Sequence, residues 1–316
     1  MTRSPLPLVT IITSTYRHER YLKQTIDSVL SQDYPKVEYL VINDGSPDGT
    51  EEILRSYGDR IVWETQPNMG EVPTLNKALM RARGDIIGKL SSDDFLYPRA
   101  IQEVVDRLSQ DPALVMAFPD FDLVDEEGRV VQTIHKPDMG IVDVVRHHLC
   151  LPGPGTLFRR ELIEELGGFD TRYRIVFDMD YWWRCGLVGP FARVPITLAA
   201  MRQHSGSQSF GGGERMAAET ASFAKSFFLL PNLPTPIRKV RREALSNAFY
   251  AAGMQCAPSG NLKVSRSYLL RSFLYSPGNY FRPHNRIKLG NWIEVVISPG
   301  VASFIRSAVS KTNLAR

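Results

Sequence analysis

Between Leu8 and Leu90 the chain switches repeatedly between two hydrophobic periods, a pattern that few folds accept. Leu8–Thr13, Val37–Ile42, Arg60–Glu64 and Asp85–Leu90 are strand-sized runs. Glu19–Ser31 sets Tyr21, Leu22, Ile26, Val29 and Leu30 on one helical stripe, Thr50–Tyr57 reads as a short helix, and Val72–Arg83 as a third, closed by Gly84 in the C′ position. Alternating strand and helix units predict a parallel sheet with helices on both faces. Right-handed crossovers then gather the C-terminal ends of the strands along one edge, where ligands bind in such sheets. The polar clusters Ser14–Tyr16, Asn43–Ser46 and Ser91–Asp94 fall on that edge.

The middle of the chain changes character. Leu114–Phe118 reads as a further strand, and Phe121–Val124 with Arg129–Thr133 as a hairpin around Asp125–Gly128. Helices are expected at Ile141–Leu149, Arg160–Leu166 and Asp178–Leu187, with a Pro/Gly loop at Leu151–Gly155. Phe191–Met201 is expected as an edge strand broken by Pro195, followed by a flexible Gly206–Gly213. Past Pro231–Pro236, Ile237–Cys256 and Asn261–Leu274 carry apolar residues at helical spacing.

Charge divides the chain the same way. The net +4 combines a local +11 over residues 231–316, with 13 Lys/Arg and 2 Asp/Glu, and a local −7 over residues 1–230, with 25 and 32. We therefore expect two domains, 1–213 and a basic, mainly helical 214–316. A hydrophobic content of 43% argues against a disordered, collagenous or coiled-coil chain. Cys150, Cys185 and Cys256 form no Cys-x-x-Cys, so neither a disulfide framework nor a zinc knuckle is supported, and a reducing, cytoplasmic setting is expected. The apolar Trp292–Ile305 is interrupted by Glu294, Pro299 and Gly300 and falls short of the roughly 18–20 residues that span a bilayer.

Nucleotide-binding fingerprints of the common kinds are absent. No Gly-x-Gly-x-x-Gly follows a strand, and Gly84…Gly88-Lys89 lacks both the spacing and the Ser/Thr of a phosphate loop. Asp93-Asp94 is more informative. Two adjacent carboxylates repel each other, and a hard divalent cation would relieve that; the plain alternative is a solvated turn.

Taken together, Val9–Tyr16, Val41–Ser46, Asn68-Met-Gly70, Asn76, Gly84-Asp85 and Leu90–Asp94 resemble the nucleotide-binding half of family 2 glycosyltransferases. Pro152–Arg159 resembles the family's acceptor-side loop, Gly167–Asp170 with Asp178–Arg184 its catalytic segment, and Met201–Ser207 its closing Arg-x-His-x-Gly-Ser segment. The resemblance covers about residues 8–210. It implies an α/β GT-A fold, Rossmann-like, with a mixed, mainly parallel sheet and flanking helices, and here a helical C-terminal extension.

The same resemblance implies roles. Ser14, Tyr16, Asp44, Asn76 and Ser92 fall where the family binds the nucleotide; Asp93 and His204 fall where it holds Mn²⁺ or Mg²⁺ on the diphosphate. Asp178 takes the place of the general base, and Asp94, Gly155, Thr156, Trp182 and Arg202 that of the acceptor and donor-sugar pocket. Taken singly, Asp178 reads equally as a helix N-cap, Trp182 as core, His204 as a surface histidine and Arg184 as an ion-pair partner of Asp180. Whether a helix N-terminus keeps Asp178 acidic or burial raises it stays open. This chain departs from the family pattern at Ser14 (Pro is usual), Arg17 (Asn), Asn43 and Ser91 (both Asp) and Phe177 (acidic), which leaves fewer carboxylates in the site.

The implied activity is metal-dependent, inverting transfer from a nucleotide-diphosphate sugar, most simply a UDP-sugar, to a glycan or lipid-linked glycan in polysaccharide or glycolipid synthesis. Alternatives are a non-catalytic scaffold of the same fold or a sugar nucleotidyltransferase. In the tail, Lys263, Arg266, Arg271 and other cations lie among aromatics such as Tyr268 and Trp292. That mixture suits an anionic membrane surface, with the protein peripheral on the inner face of the cytoplasmic membrane, or else a solvated helical cap; no nucleic-acid motif is present.

Overall fold

The structure, a computed structural model, describes residues 6–207, 213–282 and 285–296. The core of the expected flexible stretch Gly206–Gly213, at 208–212, lies outside the described residues, as does Trp292–Ile305 beyond residue 296. Nine strands form one sheet: β1 Val9–Thr15, β2 Val37–Asn43, β3 Val62–Thr65, β4 Ile86–Lys89, β5 Phe95–Leu96, β6 Met116–Val124, β7 Val130–Ile134, β8 Leu157–Arg159 and β9 Phe191–Arg202. The helices are α1 Glu19–Leu30, α2 Thr50–Ser56, α3 Glu71–Arg81, α4 Ala100–Gln110, α5 Ile141–His147, α6 Glu161–Leu166, α7 Phe177–Val188, α8 Gly213–Phe227, α9 Thr235–Lys239, α10 Arg241–Cys256, α11 Leu262–Tyr275 and α12 Arg286–Val296.

The sheet runs β3-β2-β1-β4-β8-β6-β9-β5, with β7 on β6. It is parallel through β3-β2-β1-β4, as the alternating periods require. Beyond β4 it is mixed: β8 is antiparallel to both its neighbours, and β6 and β9 are parallel to each other. In the register Ile12 pairs with Lys89, so β1 runs three residues past β4 and supports the loop that follows it.

Two prolines mislead a reading by period. Pro119 lies inside the continuous strand β6 rather than between two strands, and Pro195 does not break β9. The β6–β9 register shifts beside both, pairing Pro119 with Val194 and then Asp120 with Thr197. A bulge tolerates a residue with no N–H to donate. Strand β9 is also not a free edge, since β5 pairs with Ala199 and Ala200. Gly84 is not the C′ residue of α3, whose cap is Ala82. A Cβ there would lie 2.5 Å from the Thr10 nitrogen, so Gly84 lets the chain pass tight against β1.

Two compact units result. One runs to Ile141 and resumes from Cys150 through the closing segment after β9; the other joins Val142–Leu149 to the residues from Gly213 onward. Most of α5, expected in the first domain, therefore belongs to the second unit. In that unit α10 packs against α8 and α11. A Cβ on Gly253 would meet Leu269 at 2.6 Å, which shows how closely α10 and α11 approach. The single helix expected over Ile237–Cys256 is divided at Val240 into α9 and α10.

Candidate active site

The loop after β4 is fixed from three sides. Its first residue bonds to β1, Leu90 N to Ile12 O at 3.0 Å and Thr13 Oγ1 to Leu90 O at 2.8 Å. From α1, Thr25 Oγ1 donates to the carbonyls of Ser92 and Asp94 at 2.9 and 2.7 Å. From β9, Arg202 N donates to Asp94 Oδ1 at 3.0 Å, and Arg202 Nε to the Asp93 carbonyl at 3.1 Å. The two carboxylates consequently part company. Asp94 is buried, and burial together with the neighbouring Asp93 pushes its carboxyl well above the usual range. Asp93 instead meets His204, with Nε2 and Oδ2 3.0 Å apart.

His18, which sequence reasoning missed, completes this corner. It lies between β1 and α1, and its Nδ1 is 2.7 Å from Ser92 Oγ. Ligand atoms of His18, Asp93 and His204 all lie within 4.8 Å of one another. Two imidazoles and one carboxylate are a donor set that can hold a divalent transition-metal ion, whereas Mg²⁺ prefers oxygen alone. The turn that delivers His18 accounts for the Asn usual in the family at position 17 and leaves the Arg of this chain without a structural explanation. Arg17 adopts φ 59°, in the left-handed region that Asn enters more readily than most residues.

Among the residues expected at the nucleotide, Tyr16 is 40% exposed just past β1, with the Arg17 guanidinium 5.2 Å from its ring centre, and Ser14 is half-buried. Asp44 is buried. Its Oδ1 accepts from Gln66 Nε2, Met69 N and Thr74 Oγ1, each at 2.9 Å, and its Oδ2 from Gly70 N at 2.8 Å. Burial pushes its carboxyl up, but these donors outweigh that and lower it. Asp44 thus shapes the loop before α3, with Oδ2 the less occupied oxygen. Asn76 is turned to the backbone of Phe169, donating to its carbonyl and accepting from its N–H, both at 2.8 Å. A Cβ on Gly168 would meet Asn76 Oδ1 at 2.3 Å, so the Gly-Gly-Phe-Asp segment docks on α3 through this amide.

Asp178 lies in the first turn of α7, whose N-cap is Val176, so the N-cap reading fails. Its Oδ1 accepts from Met179 N at 2.7 Å. Burial raises its pKa, and the opposing pull of Lys89, the local N–H groups and Lys136 does not cancel this. Lys89 is the second residue that sequence reasoning missed. Its side chain is 15% exposed, with Nζ 3.2 Å from Ser91 Oγ, 3.5 Å from Glu71 Oε1 and 5.1 Å from the Phe177 ring centre. Burial pulls its amine down, but Glu71, Asp178, Asp94 and Asp93 outweigh that and keep it charged. Lys136 donates to the Cys150 carbonyl at 3.3 Å and sits 4.8 Å from the Phe121 ring.

Several residues expected to line a sugar pocket serve the fold instead. Arg202 is 3% exposed and spends its guanidinium on the carbonyls of Asp93, Asp125 and Glu126 and on Gln24. Trp182 is 5% exposed, packed on Phe158, Phe169 and Tyr181. Thr156 is 1% exposed and bonds to both backbone polar groups of Gly153. Gly155, at φ 82°, would bring a Cβ to 3.0 Å from Pro119. With Lys89 and Leu90, Gly155 and Thr156 line a cavity of only about 10 Å³, room for a water and not a sugar. Arg184 pairs with Asp180 at 2.8 Å and also holds the carbonyls of Leu166 and Gly168.

A parallel half-sheet with a His/Asp corner at its C-terminal edge, continued into a mixed sheet with flanking helices, is the GT-A architecture. The model of the glycosyl transferase family 2 matches residues 10–167, half of the chain, and the chain belongs to that family. An uncharacterized glycosyltransferase of Rickettsia typhi is 30% identical over 187 residues, 56% of this chain and 58% of that protein; this chain therefore spans little more than half the relative's length. Among solved structures, S. aureus TarS residues 1–349 in complex with UDP-GlcNAc aligns with a TM-score of 0.60 at 16% identity, covering 92% of this chain and 81% of that one. A mannosyltransferase of Pyrobaculum calidifontis in complex with GDP-Man and Mn²⁺ aligns with a TM-score of 0.57 at 21% identity, covering 92% and 85%.

Proposed function

We propose that this chain transfers a sugar from a UDP-sugar to the hydroxyl of a glycan or lipid-linked glycan, with inversion at the anomeric carbon. The observation that carries the reading is the His18–Asp93–His204 cluster at the C-terminal edge of the parallel strands, within 4.8 Å. A divalent cation there, Mn²⁺ or Mg²⁺, would stabilise charge on the departing diphosphate. Tyr16 supplies a ring face for the base, and Ser14 and the free side of Asp44 Oδ2 lie at the same edge. Ser92 orients His18.

Asp178 is the base. Its carboxylate takes the proton of the acceptor hydroxyl as that oxygen attacks the anomeric carbon from the face opposite the leaving UDP. Burial raises its pKa and so strengthens it for that task. Lys89, close to Glu71 and Ser91, balances the negative charge gathered there. We place the protein in the cytoplasm, with the inner face of the membrane as the surface where a lipid-linked acceptor is met.

Two variants test the chemistry. Asp93→Ala is expected to abolish the Mn²⁺-dependent gain in UDP affinity measured by calorimetry, and unchanged gain refutes the metal site. Asp178→Asn is expected to lose hydrolysis of UDP-sugar in the absence of acceptor while UDP still binds; retained turnover refutes the base.

A further inference from the structure

Helix α11 buries one face in its unit through Ser265, Leu269 and Ser272. Its other face consists of Leu262, Lys263, Arg266, Ser267, Leu270, Arg271 and Leu274, all exposed. These fall at successive steps of one, three, one, three, one and three residues, a continuous α-helical stripe. Leu262, Leu270 and Leu274 are 45%, 46% and 72% exposed. No acid occurs anywhere in Leu262–Tyr275, so the cations of the stripe have no counter-charge on their own helix. Arg266 is tethered by Nε to the Val295 carbonyl at 2.8 Å, a bond that leaves its charge in place.

We propose that this stripe is a docking surface for an anionic phospholipid bilayer, with the helix lying in the plane of the headgroups. The choice of partner follows from the mixture. An acidic protein or a nucleic acid would pair with the cations but gain little from isolated leucines, and nucleic-acid binding favours aromatic rings over aliphatic chains. A bilayer uses both: the leucines enter the acyl boundary, and the long Lys and Arg stems place their charges among phosphates. Elsewhere among the described residues, Glu243 is engaged by Arg282 and Arg146 and Glu219 by Arg215, so acids of this unit are largely neutralised. The inference rests on the membrane partner named in the proposed function and is independent of its chemistry.

The test is sedimentation of the full chain with phosphatidylcholine vesicles containing or lacking phosphatidylglycerol. Binding is expected only to the anionic vesicles and is expected to weaken with salt. Lys263→Gln with Arg271→Gln is expected to lower the partition coefficient about 30-fold, from about 1 kcal/mol for each of the two cations. Leu270→Ser with Leu274→Ser is expected to leave weak binding that high salt abolishes. Equal binding to both vesicle types, no binding, or binding indifferent to both pairs of substitutions overturns the assignment; in the last case residues outside α11 carry it. Binding of an oligonucleotide in place of vesicles overturns it as well. UDP-sugar hydrolysis by each α11 variant is expected to stay intact, which shows that lost vesicle binding is not lost folding, whereas a failed Asp178→Asn test leaves vesicle binding untouched.

Discussion

Replacing Arg202 by Met tests whether that side chain serves the fold or the substrate. Methionine retains much of the aliphatic stem, so the change falls on the guanidinium. Four hydrogen bonds disappear: to Asp93 O at 3.1 Å, Asp125 O at 3.1 Å, Glu126 O at 2.8 Å and Gln24 Oε1 at 2.5 Å. Two ring contacts, at 4.8 Å to Tyr21 and 5.6 Å to Phe95, lose their cation. Bonds from a charged donor contribute about 1.5–3 kcal/mol each. Bonds made by one group are not additive, so we expect a loss of roughly 4 kcal/mol. Against a total of about 5–15 kcal/mol that is severe. In urea, with a slope of about 2–3 kcal/mol/M, the midpoint should fall by roughly 1.3–2 M at unchanged slope. Mn²⁺-dependent UDP binding should weaken too, because the carbonyl of Asp93 is released. A loss below about 1 kcal/mol, combined with a changed KM for the acceptor, would refute the structural role and return Arg202 to the sugar pocket.

The remaining predictions concern charge. Turnover should fall as pH drops through the raised pKa of Asp178, because the base is then protonated. Lys89→Met should move that acid limb to higher pH, and an unmoved limb would separate Lys89 from Asp178. His18→Ala should weaken Mn²⁺ binding, read by electron paramagnetic resonance, by more than the roughly 10–100-fold that loss of an outer-shell partner costs, with metal-free UDP binding unchanged. Asp120 is pushed up by burial but held at about 2 by Arg193, His135 and the Lys136 N–H. Its stabilisation, about 2 kcal/mol, is present above the unfolded carboxylate pKa near 4 and lost as pH falls towards 2. Asp120→Asn should therefore lower stability at neutral pH and flatten the acid limb of the unfolding profile.

The sequence shows most plainly what repeats along it. Alternating periods suffice to order β1 to β4, but the prolines of β6 and β9 read as breaks because a bulge leaves no local mark. Motif positions fare unevenly for a related reason. Asp93, His204, Asn76, Arg202 and Trp182 all sit in recognisable segments, yet only their neighbours tell which face the cleft and which brace it. His18 became visible only when folding brought it to Ser92. Lys89 did carry a local signal, being the one charge in the strand Ile86–Lys89. That residue also connects two departures that looked unrelated. Ser91 and Phe177, which stand where the family usually has acids, both touch Lys89, one by a hydroxyl at 3.2 Å and the other by a ring face at 5.1 Å. Acids at those two positions would compete for the ammonium. A hydroxyl and a ring leave its charge for Glu71, Asp94 and Asp178. The missing carboxylates and the buried lysine are therefore one feature of the site, which restoring acids by Ser91→Asp or Phe177→Asp in a Lys89→Met background would not reproduce.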